Sequence, residues 1–63
     1  MTVKELYGMC FNLSPYSQFT LKSTREGTVA QGLYIKIAPL YCERDVLAFR
    51  IDDNRDVTVY LAG

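Results

Sequence analysis

Between residues 45 and 62 large apolar side chains recur at every second position. Leu47, Phe49 and Ile51 alternate with Ala48 and Arg50, and Val57, Val59 and Leu61 alternate with Thr58 and Tyr60. A period of two belongs to a strand with one buried face, so this stretch predicts two strands that present six apolar residues to one side. The break between them, Asp52-Asp53-Asn54-Arg55-Asp56, gathers residues that bond their own backbone and tolerate left-handed conformations. It predicts a hairpin connection of about two to five residues.

Upstream the period changes. Val3, Leu6, Tyr7 and Cys10 fall at i, i+3, i+4 and i+7, the apolar stripe of an amphipathic helix of about two and a half turns. Thr2 and Glu5 stand at capping-box spacing at its start, and Asn12 with Ser14-Pro15 ends it, because the residue before a proline is pushed out of the helical region. Residues 18–23 return to alternation, with Phe19 and Leu21 inward, and Thr24-Arg25-Glu26-Gly27 supplies a turn. Residues 28–37 read as further strand, Val29, Leu33, Ile35 and Ile37 on one parity and Tyr34 and Lys36 on the other, with Gly32 marking a bulge or bend. Pro39 lacks a donor, so residues 38–44 are expected to be a connection with one helical turn. The fold class that follows is α+β, a short N-terminal helix packed on one face of an antiparallel sheet of about four strands. Residues 1–63 form a single small two-layer domain.

A chain of 63 residues buries only roughly 60% of its unfolded surface, so its core is thin. Seven basic and seven acidic residues cancel, which argues against a nucleic-acid partner, whose phosphates demand excess Lys and Arg. No apolar stretch approaches the length of a membrane span, and the N-terminus lacks the features of a signal peptide. With no histidine and only Cys10 and Cys42, neither a two-Cys, two-His nor a four-Cys zinc site can be built within one chain. The location expected is intracellular, with both thiols reduced rather than bridged. Asp52, Asn54 and Asp56 share the opening spacing of a calcium loop, but Val57 replaces the required glycine and Gly63 stands where a bidentate carboxylate belongs. No cofactor or metal is expected. Without histidine, and with carboxylates confined to turns, no general base is legible, and the chain is expected not to be an enzyme.

The opening Thr2-Val3-Lys4-Glu5-Leu6, the segment Glu43-Arg44-Asp45-Val46 after the Pro39 connection and the closing Asp56-Val57-Thr58-Val59-Tyr60-Leu61 resemble short proteins encoded by phages and prophages of Gram-positive bacteria. That resemblance implies a phage origin, residence in the host bacterial cytoplasm and a small α+β fold, with no activity attached. Taken with the missing catalytic equipment, it points to a stoichiometric protein-binding module that inhibits a host anti-phage defence system, an anti-CRISPR or another anti-defence protein. Tyrosine and arginine are enriched in interface hot spots, and Tyr34, Lys36, Arg50 and Tyr60 are the expected partner-binding residues. Two alternatives stand beside it. One is a nucleotide or small-ligand sponge using Arg25, Arg44, Arg50 and Arg55 for phosphate and Tyr34 or Tyr60 for stacking; the other is a structural or regulatory phage accessory protein. One short helix cannot cover both faces of a four-stranded sheet, so a homodimer is expected, with Tyr34, Leu40, Tyr41 and Tyr60 at its interface.

Overall fold

In a computed structural model, which describes residues 1–9 and 13–62, the chain runs α1 (Val3–Met9), β1 (Gln18–Ser23), β2 (Gly27–Leu33), α2 (Tyr34–Tyr41), β3 (Val46–Ile51) and β4 (Val57–Leu61). Both helices, of 7 and 8 residues, are shorter than the roughly 12 at which free helices become even marginal. Each is held by main chain from elsewhere. The Thr2 N–H donates to Glu5 Oε1 (2.9 Å) and the Glu5 N–H to Thr2 Oγ1 (3.2 Å), completing the expected capping box. The next orphan donors of α1, the Val3 and Lys4 N–H groups, reach the carbonyls of Arg44 and Cys42 at 3.0 Å. At α2 the Tyr34 and Ile35 N–H groups reach the carbonyls of Ser17 and Pro15 at 2.9 Å. Helix N-termini that would otherwise need further side-chain caps are thus satisfied by the α1–β1 and α2–β3 connections.

The sheet order is β2-β1-β4-β3. The class is as expected, with two departures. First, α2 carries the chain from one sheet edge to the other, so β2 and β3 run the same way, and the two central strands β1 and β4 pair in parallel while the outer pairs are antiparallel. The sheet is therefore mixed rather than wholly antiparallel. Second, residues 34–37 are not strand. They open α2, in which Pro39 sits inside the helix.

Two register shifts account for the misplaced parities. Leu21 pairs with Ala30 and Lys22 with Thr28, leaving Val29 as an extra residue, so Ala30 and Gly32 face the core and Leu33 lies opposite Gln18 on the other side. In β3, Val46 pairs with Leu61 and Ala48 with Tyr60, so Leu47 is the extra residue and leaves the inward row. The core joins Val3 and Leu6 of α1 and Ile37 of α2 to Phe19, Leu21, Val57, Val59 and Leu61 of the central strands. Of the six hairpin residues expected inward, the β4 trio is buried and the β3 trio is exposed. Cys10 and Asn12, assigned above to the helix stripe and its end, and Gly63 lie outside the described residues, as does any Cys10–Cys42 pairing.

Candidate protein-interaction site

The sheet separates the expected site residues. Arg50 and Tyr60 lie on the side away from the helices, where Lys22, Arg50, Asp52, Asp56, Thr58 and Tyr60 line a cleft of about 330 Å³. Tyr34, Lys36, Leu40 and Tyr41 travel with α2 on the opposite side. The sets Tyr34/Lys36/Arg50/Tyr60 and Tyr34/Leu40/Tyr41/Tyr60 therefore do not form single patches. The placement of Tyr34 and Lys36 on the open sheet face is corrected by the same helix: its stripe Tyr34, Ile37, Ala38, Tyr41 turns toward the core, and Ile37 is buried there.

On the open face, Lys22 and Arg50 share their cleft with two carboxylates. Asp52 is committed to the hairpin tip, its Oδ1 accepting the N–H groups of Asn54 and Asp56 at 3.0 Å. The D-x-N-x-D spacing thus serves a turn, and among the described residues no three potential metal-ligating side chains converge. Of the four arginines considered for phosphate, Arg50 alone lines the cleft.

On the helix side the aromatic rings converge. Tyr7 of α1 and Tyr34 of α2 stack with centroids 3.8 Å apart and planes 2° from parallel, and both tilt against Phe19 of β1. Tyr7 was legible as a core residue of the helix stripe; its partner was not. Burial, with the nearby Cys42 and Tyr7 groups as smaller causes, pushes the Tyr34 phenol above the usual tyrosine value, so it remains a neutral donor through the physiological range. Beside the stack opens an apolar groove of about 470 Å³ walled by Lys4, Tyr7, Pro15, Ile35, Pro39 and Cys42, among others. Its rim is the outer ridge of α2. Ile35 is 51% and Leu40 78% exposed, with Lys36 and Pro39 exposed between them. The spacings Ile35 to Pro39 and Lys36 to Leu40 place these side chains as neighbours on one helical face.

Among the described residues no helix is long and apolar enough to cross a membrane. Compared with known proteins, the chain matches no family model, no curated protein and no solved structure.

Proposed function

We propose that this chain is a non-enzymatic, phage-encoded binding module that inhibits a host anti-phage defence protein, such as a CRISPR nuclease, by stoichiometric occlusion in the host cytoplasm. The observation that carries the binding role is the α2 surface. A two-turn helix offers Ile35, Pro39 and Leu40 to solvent around one cation, Lys36, beside an apolar groove. Apolar anchors next to a shallow apolar groove have the anatomy of a protein-recognition patch. Rigidity supports it further. The Tyr7–Tyr34 stack and the loop carbonyls fix α2 before any partner arrives, which lowers the ordering cost of association. The zwitterionic cleft is less suited to a nucleotide, because Asp52 and Asp56 oppose a phosphate placed near Lys22 and Arg50.

The origin rests on the resemblance carried by residues 2–6, 43–46 and 56–61, and the class of target on that origin together with the lack of legible catalytic equipment. Phage plating on hosts carrying a panel of defence systems tests both parts. Expression of the chain should raise plating on at least one defended host, and Leu40→Glu or Ile35→Glu should abolish that gain without changing the circular dichroism spectrum. Undiminished protection across the panel would refute the inhibitor reading, and full activity of both ridge variants would refute the assigned surface.

A further inference from the structure

The sheet has two edges, and they are built differently. The β2 edge carries the Val29 bulge, a device that discourages pairing with another chain, and lacks exposed large apolar side chains, with Thr28 and Gln31 polar and exposed. The β3 edge is protected only at its start, where Thr2 bridges to Asp45 and the Val46 N–H donates to the Met1 carbonyl at 2.6 Å. Beyond it, among the described residues, nothing pairs with the outer side of residues 47–51.

The backbone there points outward. The Asp52 N–H donates to the Asp56 carbonyl at 3.1 Å, which marks 52 and 56 as a hydrogen-bonded pair. Alternation along an antiparallel ladder then directs the Arg50 groups at β4, and the N–H and C=O of Ile51 and Phe49 at the free edge. Those two residues also carry uncovered side chains. They share the inner face with Val57 and Val59, yet Phe49 is 40% and Ile51 42% exposed, with the bulged Leu47 at 68%. Free ladder groups and exposed apolar side chains thus coincide on one strand.

We infer that this edge pairs with the same edge of a second copy, antiparallel about a two-fold axis, to give a continuous eight-stranded sheet. An axis normal to the sheet keeps both helix layers on one side, so Phe49 and Ile51 of the two copies meet in the trough between them. Charge excludes one register. An axis through Arg50 sets two guanidinium groups directly opposite, which is unfavourable, whereas an axis through Phe49 sets each Arg50 against the other copy's Ala48, and one through Ile51 sets each Arg50 against the other copy's Asp52. Zero net charge adds no long-range repulsion to oppose the pairing. Five residues span only about 17 Å, and the contact falls below the roughly 1,200 Å² of standard interfaces, so the dimer exchanges with monomer in the micromolar range or above. This interface excludes Tyr34, Leu40, Tyr41 and Tyr60, and it stands independently of the inhibitor reading because the α2 ridge is a separate surface.

Sedimentation equilibrium from about 10 μM to about 1 mM should show the mass rising from 7.2 kDa toward twice that value. Over the same range amide exchange at Phe49 and Ile51 should slow with concentration. Phe49→Lys places a charge in the pairing face and should weaken association about tenfold or more, while Leu40→Lys should leave it unchanged. The exchange measurement needs no variant, so a Phe49→Lys chain that fails to fold does not protect the inference. A constant mass of 7.2 kDa with exchange independent of concentration overturns it and leaves the edge to a strand from a different protein. Sensitivity to Leu40→Lys in place of Phe49→Lys also overturns it.

Discussion

Truncating Tyr34 to alanine tests whether the aromatic stack is what docks the two helices. The ring lies flat on Tyr7 at 3.8 Å and against Phe19 at 5.1 Å, and its residue is only partly buried. Full truncation of a large buried aromatic costs about 3–5 kcal/mol; for a half-buried ring about 2–3 kcal/mol is expected, of which about 0.5–1.5 belongs to ring–ring contact beyond area burial. A 63-residue chain holds roughly 3–9 kcal/mol of stability in total, so the variant sits near the edge of folding, with its midpoint lowered by about 8–24 °C. Urea titration of the parent, Tyr7→Ala, Tyr34→Ala and the double variant, followed by far-UV circular dichroism, closes a cycle in which the coupling energy should be about 1 kcal/mol. Additivity within about 0.3 kcal/mol would refute the reasoning, since the rings would then stabilise their own helices without joining them. Tyr34→Phe keeps the stack and should lose little.

Three smaller perturbations probe the local rules. Arg55 is the only non-glycine residue with positive φ among those described, at 65°, so Arg55→Gly should gain about 0.5 kcal/mol net of the greater freedom glycine adds to the unfolded chain, and a lower midpoint would count against a strained tip. At Gly32 an added Cβ would meet only Ile37 Cγ2 at 3.9 Å, but φ is 155°, so Gly32→Ala should lose about 1–3 kcal/mol through backbone strain rather than clash; a neutral result in thermal melts would show that the segment relaxes freely. Hydrogen bonds from Thr2, its backbone N–H first, hold the Glu5 carboxyl below its ordinary value. A depressed carboxyl pKa contributes stability that is fully present above the unfolded value near 4.3 and is lost as pH falls through the folded one. Glu5→Gln should therefore flatten part of the acid limb of a melting-temperature profile, and an unchanged limb would show that Glu5 is not linked to folding.

The parts of this fold that the chain reveals locally are those whose determinants lie within a few residues of each other. The capping box needs only Thr2 and Glu5. The hairpin tip is a three-residue loop closed by the Arg55 N–H on the Asp52 carbonyl at 3.0 Å, within the expected length. Arg50 and Tyr60 were placed together because they sit on neighbouring strands of one hairpin. α2 is the opposite case. Its stripe of Tyr34, Ile37, Ala38 and Tyr41 is as regular as that of α1, but β-branched Ile35 and Ile37 favour strand and Pro39 removes a donor from the helix interior. What decides for helix is distant: Ser17 and Pro15 supply its first acceptors, and Tyr7 supplies a stacking face.

The same crossover explains why surface remains to be covered. α2 packs over β2 and β1, the edge at which it begins, and α1 contributes Val3 and Leu6 to the core centred on the middle strands. Neither helix extends far enough to close the inner face of β3, which therefore keeps the period-two pattern of a buried strand while Phe49 and Ile51 stay partly in solvent. Alternation along a sequence reports which face a side chain is built to bury; it does not say whether the covering layer belongs to the same chain. In β4 that layer is supplied within the molecule, whereas Phe49 and Ile51 of β3 are left partly uncovered by it.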